Sequence, residues 1–161
     1  MFREEFEVAL HALLRATKEV YGDRLVSLAV FGSVGRGTPR PDSDIDLLLV
    51  ADDMPRGRMK RMAEFVRVEE EMKAHLPQLN HISVDLSPVL KDRNEVLAGS
   101  LLFLDMIEDA RILYDQGGFL ASFLRKQKER LAELGAAKHY RKGAWYWVLK
   151  KDYKPGEKVE I

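Results

Sequence analysis

Phe31-Gly32-Ser33, then ten residues, then Asp44-Ile45-Asp46-Leu47-Leu48-Leu49-Val50 is the stretch on which the fold turns. Side chains alternate between the two faces of a strand, so Asp44 and Asp46 project together while Ile45 and Leu47 face the other way into a core. Two like charges side by side on an otherwise apolar strand repel each other, and the arrangement calls for a cation between them. The donors are hard oxygens, with no cysteine in the chain, and such a set suits Mg²⁺, which is usually held by one or two carboxylates and completed by waters and substrate phosphates. Gly32-Ser33 supplies the other half of a triphosphate site. A glycine lets backbone N–H groups approach phosphate closely, and a serine hydroxyl adds a hydrogen bond.

Rival glycine motifs fail on their own mechanics. The P-loop needs a lysine and a Ser/Thr after its last glycine, whereas Gly37 is followed by Thr38. The dinucleotide fingerprint runs G-x-G-x-x-G, and Gly32, Gly35 and Gly37 are spaced G-x-x-G-x-G.

Working outward, Phe2, Phe6, Leu10, Leu13, Leu14 and Val20 recur at helical spacing, which predicts an amphipathic helix over 2–21 ended by Tyr21-Gly22-Asp23. Residues 24–31 are nearly continuously apolar, as in an inner strand covered on both faces. A glycine-rich turn is expected over 32–37 and a second strand over 44–50. Residues 55–76 read as helical. In 81–86, Ile82, Val84 and Leu86 alternate with His81, Ser83 and Asp85, which predicts a third strand whose polar face brings Asp85 as a third carboxylate if it lies beside 44–50. Residues 88–107 read as mostly helical, 110–114 as a short fourth strand, and 120–134 as a helix closed by Gly135. The fold class expected is α/β (α+β): a small mixed β-sheet flanked by helices, with a C-terminal helix and a basic, aromatic tail. The division expected is a domain over 1–135 and an appendage over 136–161 packed on that domain or on a partner.

Composition narrows the classes. The chain has 161 residues, 46% of them hydrophobic, enough for a core without disulfides or a structural metal. Thiolate catalysis and thiolate zinc sites are excluded by the missing cysteines. No apolar run approaches the length of a membrane span and the first residues do not resemble a signal peptide, so the expectation is a cytoplasmic protein with no membrane partner. Net charge is zero, yet residues 125–161 hold 11 Lys/Arg against 5 Asp/Glu while residues 1–124 hold 15 against 21. The basic tail is expected to fold back on the acidic body ahead of binding nucleic acid, and its Trp145, Tyr146, Trp147 and Tyr153 to pack on the protein or a dimer mate ahead of stacking RNA bases. Arg36 is the cation of the phosphate-turn segment expected to touch phosphate. His81 is expected to be held by an ordinary hydrogen bond.

Gly32-Ser33, the spacer with Arg36-Gly37, and Ser43-Asp44-Ile45-Asp46-Leu47 resemble the minimal nucleotidyltransferases of the DNA polymerase β superfamily over about residues 5–115. The resemblance implies two Mg²⁺ ions and transfer of a nucleoside monophosphate, in the first instance AMP from ATP, to a hydroxyl with release of pyrophosphate. On that pattern Gly32 and Ser33, with Arg36 and Ser43, would bind the nucleotide. Asp44, Asp46 and Asp85 would be the catalytic and metal-holding carboxylates, Asp85 on the catalytic metal with a part in deprotonating the acceptor. For small members of the family it also implies a role as antitoxin that modifies a HEPN-domain ribonuclease toxin; separately, a chain this short has no evident second domain to enclose a small acceptor, so a macromolecular acceptor is expected. The alternative is a binding module that keeps the fold and neutralises a partner by contact, or binds RNA through its tail. Three retained carboxylates favour the enzyme.

Overall fold

The computed structural model describes residues 2–141 and 144–150, and of residues 140, 141 and 144–146 the backbone alone. Helix α1 (Phe2–Tyr21) opens with Glu4 and Glu5 and closes with Lys18, charges that match the helix dipole at each end. Its buried face carries Phe6, Leu10, Leu13 and Tyr21. Strand β1 (Leu25–Phe31) leads into α2 (Gly32–Arg36) and, after an irregular return, β2 (Ile45–Ala51). There follow α3 (Arg58–His75), β3 (Leu86–Lys91), α4 (Arg93–Ala98), α5 (Leu102–Asp109), β4 (Arg111–Asp115) and α6 (Phe119–Leu134). The strands β5 (Ala137–Arg141) and β6 (Ala144–Val148) follow.

One four-stranded sheet has the order β3-β2-β1-β4, with β1 antiparallel to β2 and β4, and β2 parallel to β3. Helices cover both faces. Ile45, Leu47 and Leu49 of β2 pack with Phe6, Leu10 and Leu13 of α1 and Phe65 and Val68 of α3. Leu48 and Val50 turn the other way, to Val96, Phe103, Met106, Leu120 and Phe123. This is why the two central strands are apolar almost throughout: nearly every side chain is buried whichever way it points, and each buried Leu or Val contributes about 1.5–3 kcal/mol. Among the described residues no helix is long and apolar enough to cross a membrane.

Three expectations need correcting. Residues 32–36 form a single helical turn instead of a glycine-rich loop, with Gly37 at φ 77° as its left-handed cap, its N–H shared between the Ser33 and Val34 carbonyls. The third strand lies at 86–91 instead of 81–86, because its ladder to β2 starts at the pair Ile45 and Leu86 and the residues before it have no strand to pair with. Pro88, where the mostly helical stretch was expected to begin, lies instead inside β3, an edge strand, where a missing N–H is tolerated. The region 88–107 therefore holds two short helices, separated at Gly99 with φ 82°. In the tail, β5 pairs antiparallel with β6, setting Lys138 against Trp147 and Tyr140 against Trp145. The side chains of Trp145 and Tyr146, and all of Tyr153, lie outside the described residues.

Candidate nucleotide and metal site

The site forms where β1 ends and β2, β3 and β4 begin. Gly32 sits at φ 64°, and a Cβ there would run into Oδ2 of Asp46. The carboxylate of Asp46 thus lies directly against the backbone at the start of α2, an approach open only to glycine. Gly35, one turn on, is pressed against the carbonyls of Val30 and Asp109. Arg36 completes the lock: its Nη1 donates to Oδ2 of the buried Asp109 at 2.8 Å, tying α2 to the end of α5. The segment 32–36 is therefore fastened to both β1 and α5.

Asp44 is exposed one residue before β2, and Asp46 is half-buried inside it. Burial pushes the Asp46 carboxyl up from its ordinary value, the neighbouring Asp44 charge pushes it further, and a hydrogen bond from Ser87 and the charge of Arg36 only partly offset them. Ser43 closes the turn that delivers Asp44: its Oγ accepts from the Arg40 N–H at 2.8 Å and its own N–H donates to the Arg40 carbonyl at 2.9 Å. Ser33 is half-buried in the first turn of α2.

Asp85 lies one strand over. The Ile45 N–H donates to its carbonyl at 2.8 Å, which seats its backbone beside Asp44, while its exposed carboxylate accepts from Ser83 Oγ at 3.3 Å. It borders a cavity of about 410 Å³ walled by Met72, Leu76, Ile82 and Val84. Asp44 and Asp46 come together with Arg36 near them, but among the described residues no three acidic or histidine side chains close into a metal-binding cluster. His81 is engaged with Glu5 of α1, its Nδ1 2.9 Å from Oε1.

Three contributors escape a reading of the sequence. Asp109, which engages Arg36, is one acidic residue at a helix end and carries no signal of its own. Ser87, which bonds Asp46, follows Asp85 by two residues and would have been found had the strand been placed at 86–91. Glu5 looks like an ordinary dipole charge in the first turn of α1.

The nucleotidyltransferase domain family model matches residues 10–114, which spans β1, α2, β2, β3 and β4. The chain belongs to the nucleotidyltransferase family. It is a minimal nucleotidyltransferase of the DNA polymerase β superfamily, as the Gly-Ser and Asp-x-Asp residues imply. This nucleotidyltransferase is 28% identical over 121 residues to the Methanocaldococcus jannaschii protein named "Putative protein adenylyltransferase MJ1305", covering 74% of this chain and 78% of that one. It is 34% identical over 73 residues to the protein adenylyltransferase MntA of Thermococcus cleftensis, covering 45% and 67%. Two solved structures share the fold. One is a toxin–antitoxin crystal structure with AMP-PNP, with TM-score 0.50 and 17% identity over 78% of this chain and 91% of that one. The other is the spectinomycin adenyltransferase AAD(9) from Enterococcus faecialis with ATP and spectinomycin, with TM-score 0.50 and 12% identity over 78% and 66%.

Proposed function

We propose that this nucleotidyltransferase transfers AMP from ATP to a hydroxyl on a partner protein, with Mg²⁺, and that the partner is a HEPN-type toxin. One observation carries the proposal: two adjacent carboxylates, one of them half-buried and seated against the glycine that starts α2. Burying part of a charge beside a like charge costs stability, a cost that a cation held there would offset. The donor set fits Mg²⁺, with Asp44 and Asp46 as its holders and Asp85, just before the neighbouring strand, as the third carboxylate. When bound, Mg²⁺ supplies charge stabilisation to the phosphates during displacement at phosphorus.

The chain's own residues do the positioning. Gly32 and the backbone of α2 receive the terminal phosphates, and the Ser33 hydroxyl donates to them. Arg36, fixed on Asp109, keeps positive charge behind the phosphate turn. In the reaction the acceptor hydroxyl oxygen forms a bond to the α-phosphorus and the bond to the bridging oxygen breaks. Pyrophosphate leaves with that electron pair, and the hydroxyl proton passes to the Asp85 carboxylate. The exposure of Asp44 and Asp85 leaves the site open to a hydroxyl presented by another macromolecule, and two relatives bear the name protein adenylyltransferase. Labelled ATP, Mg²⁺ and a HEPN-type protein encoded beside this chain test the proposal: label should pass to that protein, and not when Asp44 is replaced by alanine.

A further inference from the structure

Glu5 is the second of two glutamates in the first turn of α1, where a carboxylate ordinarily faces water and interacts with the helix dipole. Here both of its oxygens are taken by a distant loop. Oε1 accepts from the Asn80 N–H at 3.0 Å and lies 2.9 Å from the His81 ring Nδ1, and Oε2 accepts from the His81 N–H at 2.8 Å. The side chain is only 16% exposed, and these bonds, the Asn80 N–H foremost, lower its carboxyl to about 2.

The loop it grips spans residues 76–85 and forms no helix or strand. It ends at Asp85, four residues after His81. Between the two, Ile82 and Val84 pack against the core under α1 and α3, and the Ile45 N–H fastens the Asp85 carbonyl to β2. The segment is thus pinned at Glu5, at two apolar side chains and at β2, and the carboxylate at its end has little freedom left in its backbone. We infer that Glu5 is a positioning residue, which sets the 76–85 loop so that Asp85 stands beside Asp44 for the incoming cation. The inference rests on the proposed use of Asp44 and Asp46 as metal holders and extends it to a residue on another element. Outer groups that orient metal-binding side chains commonly matter about tenfold or more to metal affinity.

Two readouts separate this role from plain stabilisation, both on the full chain. The first needs no metal: in Glu5→Ala, hydrogen exchange at the Ile45 amide should accelerate about tenfold or more while the amides of Leu48 and Leu49 keep their protection. The second is Mn²⁺ binding with a non-hydrolysable ATP analogue, followed by electron paramagnetic resonance of the free ion. Glu5→Ala should weaken Mn²⁺ about tenfold, Glu5→Gln, which keeps one acceptor oxygen, should weaken it less, and Glu19→Gln at the exposed far end of α1 should match the parent. If Glu5→Ala does not fold, Glu5→Gln alone carries the comparison with the parent. Unchanged Mn²⁺ affinity in every folded Glu5 variant overturns the positioning role, even if those variants melt earlier. Parent binding that Asp44→Ala leaves intact overturns the metal reading itself, and this inference with it.

Discussion

The two ends of the central sheet treat charge in opposite ways. At the end where β1 begins and β2 finishes, three acidic side chains are each held by an arginine. Arg24 grips both oxygens of Glu64, at 3.0 and 3.1 Å, and donates to the carbonyls of Asp52 and Asp53. Arg93 sits on Asp52 at 2.9 Å, and Arg61 on Glu95 at 2.7 Å. At the other end Asp44 and Asp46 are neighbours of like charge, and the nearby arginine, Arg36, is already committed to Asp109. The first end is arranged to hold the fold together. The second keeps an electrostatic conflict that a bound cation and phosphates would resolve, and proteins commonly carry such a stability cost where function needs it.

The sharpest way to break this contrast is Asp46→Asn. Nucleotide transfer should fall about a thousandfold, since losing a metal ligand withdraws several kcal/mol of transition-state stabilisation. The metal-free protein should melt at the same temperature as the parent or higher, because the half-buried charge beside Asp44 is gone. Ionising Asp46 costs stability as pH rises through its raised folded value, so the gain should be present at neutral pH and fade toward acid. A variant that melts clearly lower would show that the carboxylate contributes net stability and would remove the conflict.

Gly32→Ala comes next. Its Cβ meets Asp46 Oδ2, and an alanine at φ 64° carries roughly 1–2 kcal/mol of backbone strain. Activity should drop by one to two orders of magnitude, as ordered positioning of reacting groups is lost with a displacement of about 1 Å, and melting should fall by several degrees, both read on purified protein. Arg24→Ala tests the opposite end. Its bonds to a half-buried glutamate and two carbonyls should be worth about 1–2 kcal/mol after solvent screening, seen in denaturant unfolding, with kcat unchanged.

The smallest effect concerns Glu5. Its carboxyl is lowered in the fold, so its contribution is present above the ordinary value of 4.5 and is lost as pH falls toward about 2. The melting difference between parent and Glu5→Gln should be present at about pH 5 and should close toward pH 2.

How much of this was legible in the sequence follows from which forces are local. That Asp44 and Asp46 share a face was readable because strand alternation fixes where they point, and buried β1 and β2 are apolar enough to be recognised; that Asp46 lies against Gly32 was not. α1 was readable to its ends from periodicity and a terminating glycine. β3 was misplaced because alternation over 82–86 is the same whether or not a neighbouring strand exists, and the ladder that decides it depends on where β2 begins. The one-turn helix α2 hides behind its glycines, since five residues are too few to show a period. Arg36 to Asp109 and Glu5 to Asn80 and His81 join residues 73 to 76 positions apart, and nothing local announces either partner.

Mass spectrometry of a HEPN-type protein co-expressed with this chain tests the central claim most directly. With Mg²⁺ and ATP available, the partner should gain one AMP on a tyrosine, serine or threonine hydroxyl, and with Asp46→Asn it should not. A partner that is bound and inhibited yet carries no AMP would contradict the account and leave neutralisation by contact in its place.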